Sequence, residues 1–514
     1  MEIKDKNITV VGAARSGIGA ANLLVDLGAT VTVTDIKSED KLKEFIPRLN
    51  PSVRLVLGSH PEDIFLSADM IVISPGIPPI MPSLSKAKEK GIPIIGELEL
   101  AYQIAIYGSG NPLIPPIIPP HPPLEKGGRG DLIKGCGGGF LAVTGTNGKS
   151  TTTSLLGFMM KRGGLKTIIG GNIGNALTEE ILRLVKSQES RVKSQQPVVS
   201  SQKIIDYRLS AIDYIVAEVS SFQLESIKDF SPKVAAILNI TPDHLDRYHS
   251  LKEYSDAKAK IFENQHENDF LVLNQDDPET MKLESEKLKT RNKKPVVFYF
   301  SRKKEVSGVY FKNGVIYCNL PYPSLPGSHF PLITSDEIKI KGVHNLENAM
   351  AASVMALLAG CPLNAVRESL KEFPGLEHRL EFVRDINGVK YFNDSKGTNV
   401  GAVIKSLESF REPIILIAGG RDKAGDFSVL RRLAKERVKA IVLIGEASEK
   451  IKKTLGDLTE MVMAKDLRDA VNISRNIATK GDVVLLSPAC ASFDMFVDFE
   501  DRGRQFKKSV MEMN

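Results

Sequence analysis

The amino-acid sequence predicts an α/β protein of three domains built on mostly parallel β-sheets. Short apolar segments typical of strands alternate with helical patterns along most of the chain, the order that parallel sheets require. Polar or glycine-containing loops follow many of these strands directly. A chain of 514 residues is also too long for one hydrophobic core. We place the domains at residues 1–104, 140–374 and 375–514, with residues 105–139 as a linker.

The composition is typical of a globular protein, with 42% hydrophobic and 25% charged residues. No stretch approaches the roughly 20 continuous apolar residues of a membrane span. The four cysteines are scattered without a CxxC pair, which argues against a disulfide framework or a zinc site. Much of the net charge of +6 lies in residues 105–139 and 185–203, so nucleic-acid binding is not indicated. We expect a cytoplasmic monomer that acts on small-molecule substrates, with no membrane or nucleic-acid partner.

The first domain begins with a strand at Ile8–Val11, a helix at Gly17–Leu27 and a strand at Thr30–Thr34 that ends at Asp35. A glycine turn between the first strand and the helix, followed by an acidic residue after the next strand, is typical of a Rossmann-like nucleotide-binding fold. Ala14 stands where the middle glycine normally lets a pyrophosphate approach the backbone. A nucleotide diphosphate other than NAD is therefore favoured, and simple packing is the alternative explanation of the glycines.

Two segments differ in composition from the rest of the chain. Residues 105–139 are rich in proline and glycine, which favour extended or coiled linkers, and we interpret them as a linker enlarged by an insertion. Residues 185–205 are polar and contain the tetrapeptide VKSQ twice, seven residues apart. We interpret them as a solvated excursion between a helix and a strand, with a heptad surface helix as the alternative.

The second domain opens on AVTGTNGKST, an apolar strand followed by a turn and the start of a helix. Gly145 and Gly148 allow the backbone N–H groups to point at an anion, and the helix start adds a positive dipole end. Lys149 supplies a cation for phosphates, and Ser150 or Thr151 supplies a hydroxyl for Mg²⁺. The motif lacks the first glycine of the usual phosphate loop, and a plain polar turn is the alternative. We predict a central domain resembling P-loop ATPases, with a mixed or parallel sheet.

Further polar side chains follow strands of the second domain. Glu218 ends the strand that begins at Tyr214, where a carboxylate facing a phosphate loop can hold Mg²⁺. His244 and two aspartates lie within residues 239–247, directly after another strand, which favours a metal or substrate site over a structural histidine. Lys258 and Lys260, on the helix that follows, are expected to be solvated.

The third domain repeats the pattern of an apolar strand followed by a loop of small residues. Strands at Ile414–Ala418, Ala440–Ile444 and Val483–Ser487 lead into GGRDKAGDF, GEAS and PACASFD. Open parallel sheets bind ligands at the carboxyl ends of their strands. We therefore predict a second Rossmann-like domain with a ligand site in these loops.

Eight motifs occur in the order found in the Mur ligases, the ATP-dependent enzymes that build the stem peptide of bacterial peptidoglycan. They are GTNGKST, GGNIG, EVSSFQLE, NITPDHLDRY, HNLEN, EHR, NDSKGTN and LSPACASFD. DHLDRY, GGRDKAGDF and SPACASFDMF most resemble the branch of the family that adds D-glutamate. The resemblance covers nearly the whole chain apart from residues 105–139 and about 185–205. It implies a ligase that adds D-glutamate to UDP-N-acetylmuramoyl-L-alanine through an acyl phosphate and a tetrahedral intermediate.

The resemblance also implies a role for individual residues. Contacts to the UDP-linked substrate are expected from Ser16, Asp35, Gly76 and Asn172. ATP contacts are expected from Gly145, Thr146, Asn147, Gly148, Lys149, Ser150, Thr151, Asn348, Arg379 and Asp394. Ligands to Mg²⁺, with two ions expected, are Ser150, Glu218, His244 and Lys258, the last as a carbamate. D-glutamate is expected to contact Thr398, Lys423, Ser492 and Phe499. The catalytic residues implied are Lys149, His244 and Lys258.

Three other functions remain open at this point. A sister ligase of the same fold could add a diamino acid, or could add glutamate to a folate. The pattern of residues 8–35 is also compatible with an NAD-linked oxidoreductase that has a fused nucleotide-hydrolysing domain. A regulatory nucleotide-binding module is the third alternative, although metal-site residues and a separate acid-binding loop disfavour it.

Overall fold

A computed structural model describes residues 2–78, 81–108, 138–194, 212–244, 247–289, 291–320, 329–422 and 425–513. The chain forms two compact units. The first unit comprises Met1–Glu337 and Asn348–Lys371, and the second comprises Ile338–Glu347 and Glu372–Asn514. None of the helices in the described segments has the length and apolar character needed to cross a membrane.

The first sheet of the first unit is parallel throughout, with the strand order β3-β2-β1-β4-β5 in the described residues. Its strands are β1 (Asn7–Val11), β2 (Thr30–Asp35), β3 (Arg54–Leu57), β4 (Met70–Ile73) and β5 (Ile94–Gly96). The helices of this part are α1 (Arg15–Asp26), α2 (Glu62–Leu66), α3 (Pro82–Glu89) and α4 (Glu97–Tyr107). Val10 and Val11 face opposite sides of β1 and both are fully buried, since successive side chains of a strand alternate between faces. The predicted Rossmann-like arrangement is thereby present.

The second sheet of the first unit has the strand order β14-β13-β12-β11-β10-β9-β6-β8-β7. It is parallel from β7 to β12, and β13 and β14 add antiparallel strands at one edge. The strands are β6 (Gly139–Thr144), β7 (Thr167–Gly171), β8 (Tyr214–Glu218), β9 (Val234–Ile237), β10 (Phe270–Asn274), β11 (Val296–Ser301), β12 (Gly308–Lys312), β13 (Val315–Asn319) and β14 (Phe330–Thr334). The helices of this part of the chain are α5 (Lys149–Arg162), α6 (Leu177–Ser194), α7 (Ser221–Leu224), α8 (Leu251–Ala259), α9 (Pro278–Leu283), α10 (Val343–Leu358) and α11 (Leu363–Glu372). Residues 343–347 of α10 and Glu372 of α11 belong to the second unit.

Helix α6 corrects one expectation from the sequence. Residues 185–194 belong to this helix, so the solvated excursion predicted there is wrong, and the alternative of a helix holds. Val185, the first residue of the first VKSQ copy, is 1% exposed and packs in the core. Residues 195–211, and most of the predicted linker at 105–139, lie outside the described residues.

The sheet of the second unit has the order β15-β16-β20-β17-β18-β19, parallel except for the β15–β16 pair. Its strands are β15 (Glu381–Ile386), β16 (Val389–Asn393), β17 (Ile414–Gly419), β18 (Val438–Ile444), β19 (Glu460–Met463) and β20 (Val483–Leu486). Its helices are α12 (Val400–Glu408), α13 (Arg431–Arg437), α14 (Ser448–Leu455), α15 (Leu467–Ile477) and α16 (Phe499–Met511). Ile414 and Leu416 pack in one core cluster while Ile415 and Ile417 pack in another, so both faces of the sheet are covered.

Candidate active site

The loop between β6 and α5 has the conformation that its glycines predict. Gly145 has a φ of +147° and Gly148 a φ of +85°, values that side-chain-bearing residues rarely adopt. A Cβ at Gly148 would lie 2.3 Å from Oδ1 of Asn348, so this position also requires glycine for space. The loop and Asn348, which was expected to bind ATP, are therefore in direct proximity within the first unit.

Asn239, the second residue after β9, holds this loop in place. The Asn147 N–H donates to Asn239 Oδ1 at 2.8 Å, and Asn239 Nδ2 donates back to the Asn147 carbonyl at 3.1 Å. The Thr146 N–H donates to the Asn239 carbonyl at 2.9 Å, and the Thr241 N–H donates to Thr146 Oγ1 at 3.0 Å. Reasoning from the sequence did not assign Asn239 to the site. Its position directly after a buried strand was the available signal.

Two lysine side chains converge on one carbonyl of the loop. Lys149 Nζ donates to the carbonyls of Gly145 at 2.8 Å and Thr146 at 2.9 Å, and Lys258 Nζ donates to the Gly145 carbonyl at 3.0 Å. Lys258 is 1% exposed and its ammonium lies 4.3 Å from the ring centre of Tyr254. Burial, together with the nearby Lys149 ammonium, holds the pKa of Lys258 well below its usual range. The expectation that Lys258 is solvated is therefore wrong.

Glu218 lies beside the phosphate loop, as the sequence predicts. It is in register with Val143 of the neighbouring strand β6 and is 2% exposed. Its Oε1 accepts a hydrogen bond from Asn172 Nδ2 at 3.0 Å, and its Oε2 is buried without a hydrogen-bond partner among the described residues. The hydroxyls of Thr144 and Thr151 are likewise buried and unpaired within the described segments. Buried oxygens without donors are suited to a hard cation such as Mg²⁺.

His244 lies in a backbone conformation that is uncommon for non-glycine residues, with a φ of +54°. Its ring packs edge-on against Phe222 at 4.9 Å between centroids, and Nε2 is 3.8 Å from Asp243 Oδ2. The side chain is 47% exposed, so it is accessible to a ligand. In the described parts of the chain, no group of three or more His, Cys, Asp or Glu side chains could hold a metal ion.

Asp35 holds the loop between β1 and α1 through a hydrogen bond to its own carboxylate. Its Oδ2 accepts from the Ala13 N–H at 2.8 Å and its Oδ1 from the Lys37 N–H at 2.9 Å. A Cβ at Gly17 would lie 1.7 Å from the Gly12 carbonyl oxygen, so helix and loop pack too closely for any side chain. Asp35 and the glycines thus shape the loop where the UDP-linked substrate was expected.

Arg15 connects this loop to the GGNIG segment. Its Nη1 donates to the Gly174 carbonyl at 2.8 Å. This bond brings the neighbourhoods of Ser16 and Asn172, two of the expected contacts of the UDP-linked substrate, together in the first unit. Gly76, a third, is exposed in the loop after β4.

In the second unit, Asp394 lies at the end of β16 and is 4% exposed. Its Oδ2 accepts from the hydroxyls of Ser406 and Ser487, both at 2.7 Å, and its Oδ1 accepts from the Leu380 N–H at 3.3 Å. Burial raises the pKa of Asp394, while these hydrogen bonds and the Arg379 guanidinium oppose the rise. Arg379 and Asp394, both expected to contact ATP, therefore lie near each other, and Asp394 joins several segments around the sheet edge.

Two of the residues expected to contact D-glutamate, Thr398 and Ser492, lie in loops that follow strands of this sheet. Ser492 is 2% exposed in the loop after β20. Phe499 is the first residue of α16, and its ring centre lies 5.2 Å from Lys396 Nζ. The Thr398 N–H donates to the Lys396 carbonyl at 2.8 Å in the loop after β16. Lys423 lies outside the described residues.

Comparison with known protein families identifies the class of protein. The N-terminal domain of MurD-like Mur ligases matches residues 6–96, the Mur ligase middle domain matches residues 143–356, and the glutamate ligase domain of Mur ligases matches residues 378–490. The chain belongs to the Mur ligase family, a family of ATP-dependent ligases. The predicted three-domain α/β architecture is confirmed.

Curated relatives place the chain within one branch of that family. A protein of Geotalea daltonii is 44% identical over 99% of this chain and 98% of its own length, and it is named UDP-N-acetylmuramoylalanine–D-glutamate ligase. Proteins with the same name from Caldanaerobacter subterraneus and Clostridioides difficile are each 40% identical. They cover 100% and 99% of this chain, and the same shares of their own lengths.

Solved structures share the fold at much lower sequence identity. A pseudomurein peptide ligase type C from Methanothermus fervidus aligns with a TM-score of 0.55 and 18% identity, over 99% of this chain and 100% of its own. UDP-N-acetylmuramate–alanine ligase from Thermotoga maritima aligns with a TM-score of 0.53 and 18% identity, over 98% of this chain and 99% of its own.

Proposed function

We propose that this protein is an ATP-dependent ligase that joins D-glutamate to UDP-N-acetylmuramoyl-L-alanine, with release of ADP and phosphate, in peptidoglycan precursor synthesis. The names of its full-length relatives support the reaction and both substrates. The observation in the structure that carries it is the phosphate loop, because Asn239 fixes its backbone while Lys149, Lys258 and Glu218 lie around it.

The reaction must overcome the poor reactivity of a carboxylate towards an amine. Transfer of the γ-phosphoryl group of ATP to the alanyl carboxylate gives an acyl phosphate and ADP. The amino group of D-glutamate then adds to the acyl carbon, and the tetrahedral intermediate collapses to an amide as phosphate leaves with the acyl oxygen. Phosphoryl transfer depends mainly on positioning and charge neutralisation. Lys149 neutralises phosphate charge, and the backbone N–H groups at the start of α5 hold the phosphates in line, because those of Thr146 and Asn147 already donate to Asn239.

The oxygen atoms available at this site are suited to binding Mg²⁺. Glu218 Oε2 and the Thr151 hydroxyl are buried oxygens without protein partners among the described residues. Mg²⁺ would be held by Ser150, Glu218, His244 and a carbamate on Lys258, with two ions in all and phosphate oxygens completing the coordination. When bound, it neutralises the charge that develops on the transferring phosphate.

The burial of Lys258 supports the proposal that it is carbamylated. A buried lysine whose pKa is lowered carries a larger neutral fraction near neutral pH, and only the neutral amine attacks carbon dioxide. Bond formation between Nζ and the carbon, with loss of a proton, converts a cation into an anion. That change would place an anionic oxygen ligand close to Glu218 and the phosphate loop.

The remaining expected contacts complete the proposal. Ser16, Asp35, Gly76 and Asn172 would contact the UDP-linked substrate; Asn348, Arg379 and Asp394 would contact ATP; and Thr398, Lys423, Ser492 and Phe499 would contact D-glutamate. We expect a monomer with no nucleic-acid or membrane partner. The requirement for ATP supports a cytoplasmic location.

Isotope transfer tests the proposed chemistry. UDP-N-acetylmuramoyl-L-alanine labelled with oxygen-18 in its carboxylate is incubated with ATP, Mg²⁺, D-glutamate and the protein. An acyl phosphate mechanism moves one labelled oxygen into each phosphate released. ADP formation that leaves the phosphate unlabelled would contradict the mechanism.

A further inference from the structure

Arg502 is the largest fully buried side chain among the described residues, at 0% exposure. It lies on the first turn of α16. Its Nε donates to Ser395 Oγ at 2.9 Å, and its Nη2 donates to the Ser395 carbonyl at 2.9 Å. Nη1 and Nη2 both donate to the Cys490 carbonyl at 3.3 Å. The guanidinium is thus enclosed by neutral oxygens.

Among the described residues of the second unit, no carboxylate lies within ion-pair distance of the Arg502 guanidinium. Asp394 and Asp494 act on it at longer range, and burial lowers the pKa of Arg502 to about 10. The guanidinium is therefore still protonated near neutral pH. Buried cations in proteins are normally paired, because desolvation is costly. An unpaired buried cation leaves a positive potential around it, which attracts anions.

Three strand-end loops meet at this guanidinium. Strand β20 lies between β16 and β17 in the sheet. Ser395 belongs to the loop after β16, Cys490 to the loop after β20, and Gly420 directly follows β17. A Cβ at Gly420 would lie 3.3 Å from Arg502 Nη1, so this backbone also packs against the guanidinium. Ligands of open parallel sheets bind where such loops converge.

The same loops carry the residues expected to contact D-glutamate. Thr398 lies three residues after Ser395, and Ser492 lies two residues after Cys490. The Ser395 hydroxyl, which accepts from Arg502, donates in turn to the Phe499 carbonyl at 2.8 Å. One side chain therefore connects the backbone segments of Thr398, Ser492 and Phe499. D-glutamate carries two carboxylates, so a cation beneath these segments also favours its binding electrostatically.

We propose that Arg502 is a positioning residue for the amino-acid substrate. The N–H donors of its guanidinium set the relative positions of the loops after β16 and β20. Its charge supplies part of the positive potential that the dicarboxylate requires. The inference rests on the proposed function, because it takes the substrate at this sheet edge to be D-glutamate.

Steady-state kinetics of Arg502→Lys and Arg502→Met test the proposal. Lysine keeps the positive charge but lacks the planar set of N–H donors of the guanidinium, and methionine lacks both. We expect the KM for D-glutamate to rise at least about tenfold in the methionine variant and less in the lysine variant, since hydrogen bonds to charged groups are individually strong. The KM for ATP and the KM for UDP-N-acetylmuramoyl-L-alanine should stay within about twofold of the unsubstituted protein. Arg504→Met, on the same helix at a side chain that is 63% exposed, is the matched control and should change none of these constants.

Two results would overturn the proposal. One is an unchanged KM for D-glutamate in a folded Arg502→Met protein. The other is a parallel rise of all three KM values with a lowered melting temperature in both Arg502 variants, which would indicate a purely structural role. If the methionine variant does not fold, the lysine variant decides, because a selective rise in the KM for D-glutamate is still required. Failure of the proposed function is distinguishable, since the unsubstituted protein would then show no ADP release dependent on D-glutamate.

Discussion

Replacing Asn239 with alanine tests whether the hydrogen bonds between the Asn239 side chain and the phosphate loop position ATP. The substitution removes two hydrogen bonds to Asn147, one accepted by Oδ1 at 2.8 Å and one donated by Nδ2 at 3.1 Å. The bond from the Thr146 N–H to the Asn239 carbonyl is a backbone contact, so it remains in the variant. The loop should then lose its preferred position without the loss of its glycines or of Lys149.

The expected magnitude follows from these two bonds. Each hydrogen bond contributes a net stabilisation of about 0.5–1.5 kcal/mol, so the two bonds together contribute roughly 1–3 kcal/mol. If this free energy serves to hold the loop for the nucleotide, the KM for ATP should rise roughly 5- to 150-fold. The KM for D-glutamate should change little, because the two lost hydrogen bonds both go to the phosphate loop.

Asn22→Ala is the matched control for this experiment. The Asn22 side chain makes the same two kinds of bond elsewhere in the first unit, donating to the Arg48 carbonyl at 2.8 Å and accepting from the Asn50 N–H at 2.8 Å. ADP release is measured at increasing ATP, with the melting temperature of each variant. Both variants should lose stability to a similar extent, and Asn239→Ala alone should raise the KM for ATP. Equal KM values for ATP in the two variants would refute the reasoning.

Four further substitutions test other parts of the account. Lys149→Ala should lower kcat by at least about 10²–10³-fold, the loss typical of one transition-state charge stabiliser, and near-normal turnover would remove Lys149 from the site. His244→Ala and Lys258→Ala should each raise the Mg²⁺ concentration needed for half-maximal activity, and unchanged Mg²⁺ titrations would exclude both as metal ligands. Glu97 is 1% exposed, accepts two hydrogen bonds from Thr178, and has a pKa raised above 4.5 chiefly by burial. The folded state therefore retains this proton at pH values where the unfolded state has lost it, so stability falls as the pH rises from 4.5 through the raised pKa. Glu97→Gln should remove that decline in urea unfolding, and identical pH profiles would contradict the assignment.

The sequence predicts the elements near the phosphate loop well, because local patterns specify them. Glycines followed by Lys149 at the junction of a buried strand and a helix leave few conformations, and the structure has the loop expected. Glu218 was predicted at a strand end facing the loop, and the register of β6 with β8 places it there. Periodicity and turn chemistry are short-range signals, and they suffice for these features.

Features that depend on tertiary packing could not be predicted in the same way. Lys258 follows polar residues on a helix, and its burial depends on the neighbouring phosphate loop, which is more than a hundred residues away in sequence. Residues 185–194 are polar in composition, yet their helix is anchored by buried side chains such as Val185. The role of Arg502 depends on three loops from separate strands, and no local pattern marks a buried arginine on an amphipathic helix.

ADP release with different amines tests the central claim most directly. Purified protein is given Mg²⁺, ATP and UDP-N-acetylmuramoyl-L-alanine with D-glutamate, L-glutamate, L-lysine or meso-diaminopimelate. The proposed function predicts release with D-glutamate alone. Release with another amine instead would retain the ligase mechanism and contradict the assigned substrate. No release with any of them, from folded protein, would contradict the proposed function itself.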